Sequence, residues 1–247
     1  MPKEGMSKRQ ARREQRRRAQ QRTRTIVIAG VVLVALVVAA LLIAPNFTPL
    51  GEIKTAEPFP RPQADGNATG DPDAPIKMEE FSDFQCPLCE RFYSQTERQL
   101  VDAYVATGKV YFTFRSFGEF IGPESKASAE AAYCAGDQGK FWEMHDIIFA
   151  NHTGENVGDY SNRRLLAMAE KIGLDTAAFQ SCFNGNKYAD RVNKDFTDGS
   201  ATGMKGTPAF VMTYTVNGQV QTELIAGAQP FSEFQSKIDA ALARVGQ

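Results

Sequence analysis

The chain has 247 residues, enough for one large domain or two small ones, and 43% of them are hydrophobic, close to the globular average. Its charge is uneven. Residues 1–24 carry ten basic and two acidic side chains, +8, so the whole-chain value of −1 leaves −9 for residues 25–247. Neither value suits a catalytic domain that works on nucleic acid.

The Gln- and Arg-rich start, residues 1–25, shows no apolar periodicity and reads as a basic tail at a membrane surface. A nucleic-acid-binding arm would have the same composition, and the segment that follows decides against it. Residues 26–44 are nineteen in a row without a charge. As a helix they would span nearly 30 Å, about the thickness of a bilayer core. A soluble core helix is rarely apolar on every face. A secretory signal has a shorter apolar region and a small-x-small cleavage site, and Leu42-Ile43-Ala44-Pro45 offers a poor one. We therefore read 26–44 as an uncleaved transmembrane helix, a signal anchor. The tail is then cytoplasmic by the positive-inside rule, and everything beyond Ala44 lies outside the cytoplasm, where disulfides persist.

Residues 45–73 hold Pro45, Pro49, Pro58, Pro60, Pro62 and Pro72 among scattered Gly, Asp and Asn. They are expected to be a semi-extended linker, with room for a short strand over 52–55. The folded domain is expected over 74–247. A strand over 76–81 leads into a helix that begins at Cys86 and runs to about 107. Its apolar positions Phe92, Tyr93, Thr96, Leu100, Ala103 and Tyr104 recur three and four apart. Pro87 suits the first turn of that helix, and Gly108 can end it. Val110, Phe112 and Phe114 then alternate with polar neighbours as a strand, which completes a right-handed βαβ unit.

From about 122 to 203 the pattern is helical, with candidates at 124–135, 139–150, 161–172, 175–183 and 187–201. Ser161 and Asp175 are placed as N-caps. Two β-rich runs, 209–216 and 219–226, flank Asn217-Gly218, the strongest short hairpin signal. A last helix over 231–245 aligns Phe234, Ile238, Ala241 and Leu242 on one face.

The chemistry centres on Cys86-Pro87-Leu88-Cys89, where the first strand ends and the first helix of the domain begins. A helix start presents unpaired N–H groups and a partial positive charge. Cys86 should have its thiolate stabilised there and its sulfur exposed, while Cys89, one turn in, should be buried. The pair could instead be half of a zinc site, which would need two more ligands. The remaining cysteines, Cys134 and Cys182, are single and on separate helices, and the chain has only two histidines, His145 and His152. A redox pair with no metal and no cofactor is the better reading. Cys134 and Cys182 could be free thiols or a second redox pair; an extracytoplasmic domain favours a structural disulfide between them. His145, on a helix with Phe141, Trp142, Ile148 and Phe149, reads as a packed structural histidine.

Three segments carry a family resemblance. Glu80-Phe81-Ser82-Asp83-Phe84-Gln85-Cys86-Pro87-Leu88-Cys89 resembles the active-site segment of DsbA-like thiol–disulfide oxidoreductases. Gly206-Thr207-Pro208 resembles their cis-proline loop. Residues 132–142 resemble the start of their helical insertion. The resemblance covers roughly 70–247 and implies an α/β thioredoxin-like fold with a helical insertion, preceded here by one transmembrane helix. It further implies a cis Thr207–Pro208 bond beside the cysteine pair, with the Thr207 backbone free to pair with an extended substrate. Glu80 would be a buried acid beneath Cys89 that accepts or relays its proton, the alternative being an exposed strand glutamate, while Glu79 points to the other face and is solvated. Many relatives have a histidine between the cysteines; Leu88 stands there in this chain and has no side-chain hydrogen to donate. The implied activity is oxidation of thiols in exported, cysteine-containing proteins, with a quinone-linked membrane reoxidant of the DsbB or vitamin K epoxide reductase type. The alternatives are a disulfide reductase or isomerase, and a redox-inactive membrane-tethered module that holds peptides.

Overall fold

The computed structural model describes residues 8–43 and 49–245. They belong to two compact units, Met1–Gly51 and Glu52–Gln247. In the first, a single helix, α1 (Lys8–Ile43), contains a 30-residue stretch, Arg12–Leu41, with mean hydropathy of 2.6 in its most apolar window and no part of that window buried. It is long and apolar enough to cross a membrane. The basic stretch is part of the same helix, because Arg, Gln, Glu and Ala propagate a helix and no Gly or Pro occurs between Lys8 and Gly30. Residues 1–7 of the expected tail, Ala44 of the expected span and residues 45–48 of the expected linker lie outside the described residues.

The second unit begins at Glu52, which corrects the expected linker over 45–73 and the expected domain start at 74. Lys54 and Asn151 exchange two hydrogen bonds of 2.9 Å, Ile53 and Phe59 pack on the core, and the Arg61 side chain is buried. Side chains between the prolines dock on the domain. No strand forms over 52–55. A short strand, β1 (Ala68–Thr69), instead pairs with the sheet edge.

The sheet has five strands in the order β1-β3-β2-β4-β5. β2 (Ile76–Ser82) and β3 (Val110–Ser116) run parallel, and the other neighbours are antiparallel. β4 (Ala209–Val216) and β5 (Gln219–Ala226) form the expected hairpin, with Asn217 and Gly218 both at positive φ as a tight hairpin turn requires. Central β2 places Glu80 between Phe114 of β3 and Phe210 of β4. The helical run between β2 and β3 starts as α2 (Pro87–Phe92) and continues through a π-wound stretch Tyr93–Glu97, the single turn α3 (Arg98–Leu100) and a second π-wound stretch Val101–Val105. Phe92 packs there against Phe210 and Phe234.

The insertion comprises α4 (Pro123–Gly136), α5 (Phe141–Ala150), α6 (Asn162–Lys171), α7 (Thr176–Asn184) and α8 (Ala189–Ala201). Asp175 caps α7 by accepting from the backbone of Ala177 and Ala178, whereas Ser161 stands at the start of α6 and its side chain makes no capping bond. α4 and α7 are joined by a Cys134–Cys182 disulfide. Arg115 ties α8 to the sheet: Nε meets Asp195 at 2.5 Å, Nη1 meets Glu79 at 2.6 Å, and Nη2 pairs with Asp198. Glu79 is thus ion-paired rather than only solvated. α9 (Phe231–Val245) buries Phe234, Ile238 and Ala241 and completes the layer beside α3.

Candidate active site

The site is assembled where the C-terminal end of β2, the start of α2 and the start of β4 meet. Cys86 stands in extended conformation at the head of α2, and its carbonyl accepts the N–H groups of Cys89 and Glu90 at 3.0 and 3.1 Å. Pro87 fills the first helical position, where no N–H is needed. A turn precedes it: the Cys86 N–H donates to the Asp83 carbonyl at 2.9 Å, and the Asp83 N–H donates to Cys89 Sγ at 3.5 Å. Both cysteines are thiols here. From the other side comes the Thr207–Pro208 segment, with a cis peptide bond, and Cys86 Sγ donates to the Thr207 carbonyl at 3.4 Å.

The two sulfurs differ in access less than their positions imply. Cys86 is 8% exposed and Cys89 0%. The exposed Cys86 sulfur expected from the helix start is mostly covered, because Thr207 lies on it. In the same turn Leu88 is 42% exposed.

Their electrostatics differ far more. A hydrogen bond from the Cys89 thiol is the main force that lowers Cys86 to about 6, against the cost of its burial. The Thr207 hydroxyl and the N–H groups of Cys89 and Leu88 act in the same direction as that bond. Burial pushes Cys89 well above the usual thiol range, and the bond to Cys86 and the charges of Cys86 and Glu80 add to it. Glu80 is 1% exposed. Burial, and after it the charge of Glu97, hold its carboxyl well above the usual range, while Ser82 and Arg61 oppose them. Its Oε2 has no hydrogen-bond partner among the described residues. The structure therefore brings Cys86, Cys89, Thr207, Pro208 and Glu80 together, and it places the Cys134–Cys182 disulfide apart from them in the insertion. Among the described residues no three His, Cys, Asp or Glu side chains converge as a metal site would need.

Sequence reasoning missed several groups. Asp83 is fully buried, and burial raises it to about 6. Gln85 anchors the turn: its amide donates to Ser125 Oγ at 2.8 Å and accepts the Asn156 N–H at 2.6 Å. Tyr160 donates to the Phe84 carbonyl at 3.0 Å, and His152 Nε2 meets the Gln85 carbonyl at 2.9 Å. Behind the site, Arg61 Nη2 bridges Glu97 at 2.9 Å and Asp146 at 3.1 Å, and Asp146 meets His145 Nδ1 at 2.8 Å. The Arg61 guanidinium is stacked between the rings of Phe59 and Trp142. The only advance signal for this network was the aromatic helix around His145; Arg61 lay in the presumed linker.

Residues 63–240 match a family model described as Thioredoxin. A Salinispora arenicola protein named Na(+)/H(+) antiporter NhaA 1 is 31% identical over 151 residues, 61% of this chain and 21% of that protein. The chain thus spans about a fifth of that relative's length. A Bacillus cereus protein named "Probable disulfide bond formation protein D" is 30% identical over 156 residues, 61% of this chain and 69% of that protein. Among solved structures, oxidised BdbD from Bacillus subtilis superposes with a TM-score of 0.63 at 20% identity, covering 77% of this chain and 100% of that one, a likeness of fold.

Proposed function

The chain belongs to the thioredoxin family, and from that premise we propose that it is a membrane-anchored, DsbA-like thiol–disulfide oxidoreductase that forms disulfides in exported proteins. The observation that carries the reading is the asymmetry of the pair. Cys86 is lowered to about 6 at a helix start, and Cys89 is buried and raised. A stabilised thiolate makes the reduced form favourable and the disulfide an oxidant. The name of the Bacillus cereus relative supports the same direction.

In the oxidising cycle, a substrate thiolate attacks Cys86 Sγ of the Cys86–Cys89 disulfide. The S–S bond breaks, its electron pair leaves on Cys89, and Glu80, the buried acid beneath, supplies the proton. A second substrate thiolate then attacks the substrate sulfur of the mixed disulfide. Cys86 departs as the thiolate that the helix start and Thr207 stabilise. The substrate gains one disulfide, and the pair gains two electrons. Before the attack, the Thr207 backbone would align an extended substrate segment against Cys86. Reoxidation falls to a quinone-linked membrane protein of the DsbB or vitamin K epoxide reductase type.

α1 would serve as the anchor, with its basic end in the cytoplasm and the redox domain outside. Protease added to intact spheroplasts should then digest the domain and spare the basic end; protection of the domain would overturn this topology.

The function itself is tested by equilibrating the protein in glutathione buffers, alkylating it and reading its potential. A value in the oxidising range, toward the roughly −120 mV of DsbA, is expected, with Cys86→Ser abolishing oxidation of a reduced test protein. A value at or below thioredoxin's roughly −270 mV, with rapid insulin reduction, would make it a reductase. A Cys86 inert to alkylation after reduction would leave only a peptide-holding module.

A further inference from the structure

One buried acid beside the cysteines has no part in the cycle above. Asp83 holds the turn that starts α2. Its Oδ1 accepts the Gln85 N–H at 2.9 Å, its carbonyl accepts the Cys86 N–H at 2.9 Å, and its N–H reaches Cys89 Sγ at 3.5 Å. Its second carboxyl oxygen, Oδ2, is buried and has no hydrogen-bond partner among the described residues. A carboxylate with a bare buried oxygen is costly, and a carboxylate next to a thiolate in the same enclosed space is costlier.

The groups facing it come from every side. Cys86 stands at the head of α2, Cys89 of α2 meets the Asp83 N–H, Ser125 comes from α4, and the Ile121 N–H from the segment before α4. Tyr160, which senses the charges of both Asp83 and Glu124, donates to the Phe84 carbonyl, and His152 meets the Gln85 carbonyl. Among the described residues no Lys or Arg is one of the main influences on the Asp83 carboxyl. The acid next to Glu80 in the chain's logic is thus a different one: Glu80 acts on Cys89, whereas the charge that opposes Asp83 is that of Cys86.

We propose that Asp83 is a second acid of the redox site, a positioning residue for Cys86 that takes up a proton when the Cys86–Cys89 disulfide is reduced and returns it when the disulfide reforms. The inference rests on the redox reading given above. The proton count closes. A substrate dithiol gives up two electrons and two protons on becoming a disulfide. The electrons break the Cys86–Cys89 bond; one proton ends on Cys89, and the other ends on Asp83. The enclosed site then carries one negative charge in either state, on the Asp83 carboxylate when oxidised and on the Cys86 thiolate when reduced. A site that keeps its charge constant avoids confining two anions, which burial would penalise. Burial, with the Cys86 charge adding to it, holds Asp83 at about 6 in the reduced protein. Without that thiolate the oxidised protein must hold the proton less tightly. Well above this value the second proton passes to solvent.

The test uses the full chain in detergent. Redox-difference infrared spectra of the wild type near pH 6 should show a carboxylate becoming a carboxylic acid on reduction, a signal absent from Asp83→Asn. The asparagine keeps an oxygen for the Gln85 N–H, so the turn should hold, and the wild-type spectrum stands by itself if the variant does not fold. In the variant, Cys86 loses its competitor for the proton. Its alkylation midpoint should fall below about 6, with alkylation near pH 6 faster by up to about twofold. An unchanged alkylation profile, or a redox-linked infrared signal that survives in the variant, would overturn the proposal while exchange with glutathione continued and left the redox reading intact. Loss of all exchange in the wild type would overturn both.

Discussion

Cys86 Sγ donates to the Thr207 carbonyl at 3.4 Å across 121 residues of sequence. That contact joins the start of α2 to the start of β4, and it depends on the antiparallel pairing that sets Ala209 opposite Phe81. Beside the carbonyl, the Thr207 hydroxyl lowers Cys86, after the larger effect of the Cys89 thiol. Among the described residues that hydroxyl is buried and makes no hydrogen bond of ordinary geometry, so it is available to a Cys86 thiolate. Thr207→Val keeps the shape and removes the oxygen. We expect the Cys86 alkylation midpoint to rise from about 6 by on the order of half a unit, with no loss of folding. No change in midpoint would show that the Thr207 hydroxyl does not stabilise the Cys86 thiolate.

The Cys134–Cys182 bond closes a loop of 48 residues between α4 and α7. In the chain-entropy model such a loop contributes about 4 kcal/mol. Replacing both cysteines with serine should lower stability by about 2–5 kcal/mol in urea titrations. Disulfide exchange at Cys86 should persist in the cold. Loss of exchange with the fold intact would implicate this bond in electron transfer.

The legible parts of this protein were those with short-range causes. The change from strand to helix at Cys86 shows in the spacing of apolar residues, the hairpin in Asn217-Gly218, and the α7 cap in Asp175. Ser161 has the same chemistry as a cap, yet its side chain makes no capping bond in the structure. His145 was readable as a packed residue because its helix is aromatic, and it lies among Phe84, Phe114, Trp142 and Phe149. Its bond to Asp146 was not anticipated. Arg61 could not be placed, since its partners stand 36 and 85 residues away and its surroundings look like a spacer. Asp83 lies within the motif, but an acid in a turn before a helix is so ordinary that nothing in the sequence marks it as buried. Glu80 owed its assignment to resemblance; alternation along β2 alone gives a half-buried glutamate either role.

The Arg61 bridge predicts a pH-dependent defect. Arg61→Met removes the guanidinium that bridges buried Glu97 and Asp146. Breaking such a pair from one side costs roughly 3–5 kcal/mol, because the remaining charges stay desolvated. Burial already raises Glu97, and Arg61 is the main influence that lowers it. Without Arg61 its folded value rises further. A raised carboxyl contributes stability that is present below its unfolded value and lost as pH rises through the folded one. The variant's deficit should therefore be largest at neutral pH and shrink in acid, as chemical denaturation at a series of pH values would reveal. Adding Glu97→Gln and Asp146→Asn should restore much of the loss. A deficit that does not vary with pH would mean that lost stacking on Phe59 and Trp142 dominates.

The cysteine pair itself predicts how stability changes with redox state and pH. In the reduced protein Cys86 falls from 9.0 to about 6, chiefly through the bond from Cys89. A depressed acid contributes stability that is present above its unfolded value and lost as pH falls through the folded one. Reduced protein should thus gain stability steadily from about pH 6 to about pH 9. Cys89 ends that rise: its raised value contributes fully below the unfolded thiol range and loses the contribution above it. Asp83, raised from 3.8 to about 6, runs the opposite way and loses its contribution as pH climbs through about 6. The oxidised protein has no thiol to titrate, so its curve should lack the rise between 6 and 9. The measurement is thermal unfolding of both redox forms across that range. The reduced-minus-oxidised difference in Tm should grow with pH, and Cys89→Ala, which removes the chief cause of the Cys86 shift and cannot form the disulfide, should lack the rise in Tm from pH 6 to 9 that the reduced wild type shows. A difference that stays level from pH 6 to 9 in the wild type would mean that the Cys86 thiolate is not stabilised by the fold, and the oxidising direction would lose its physical basis.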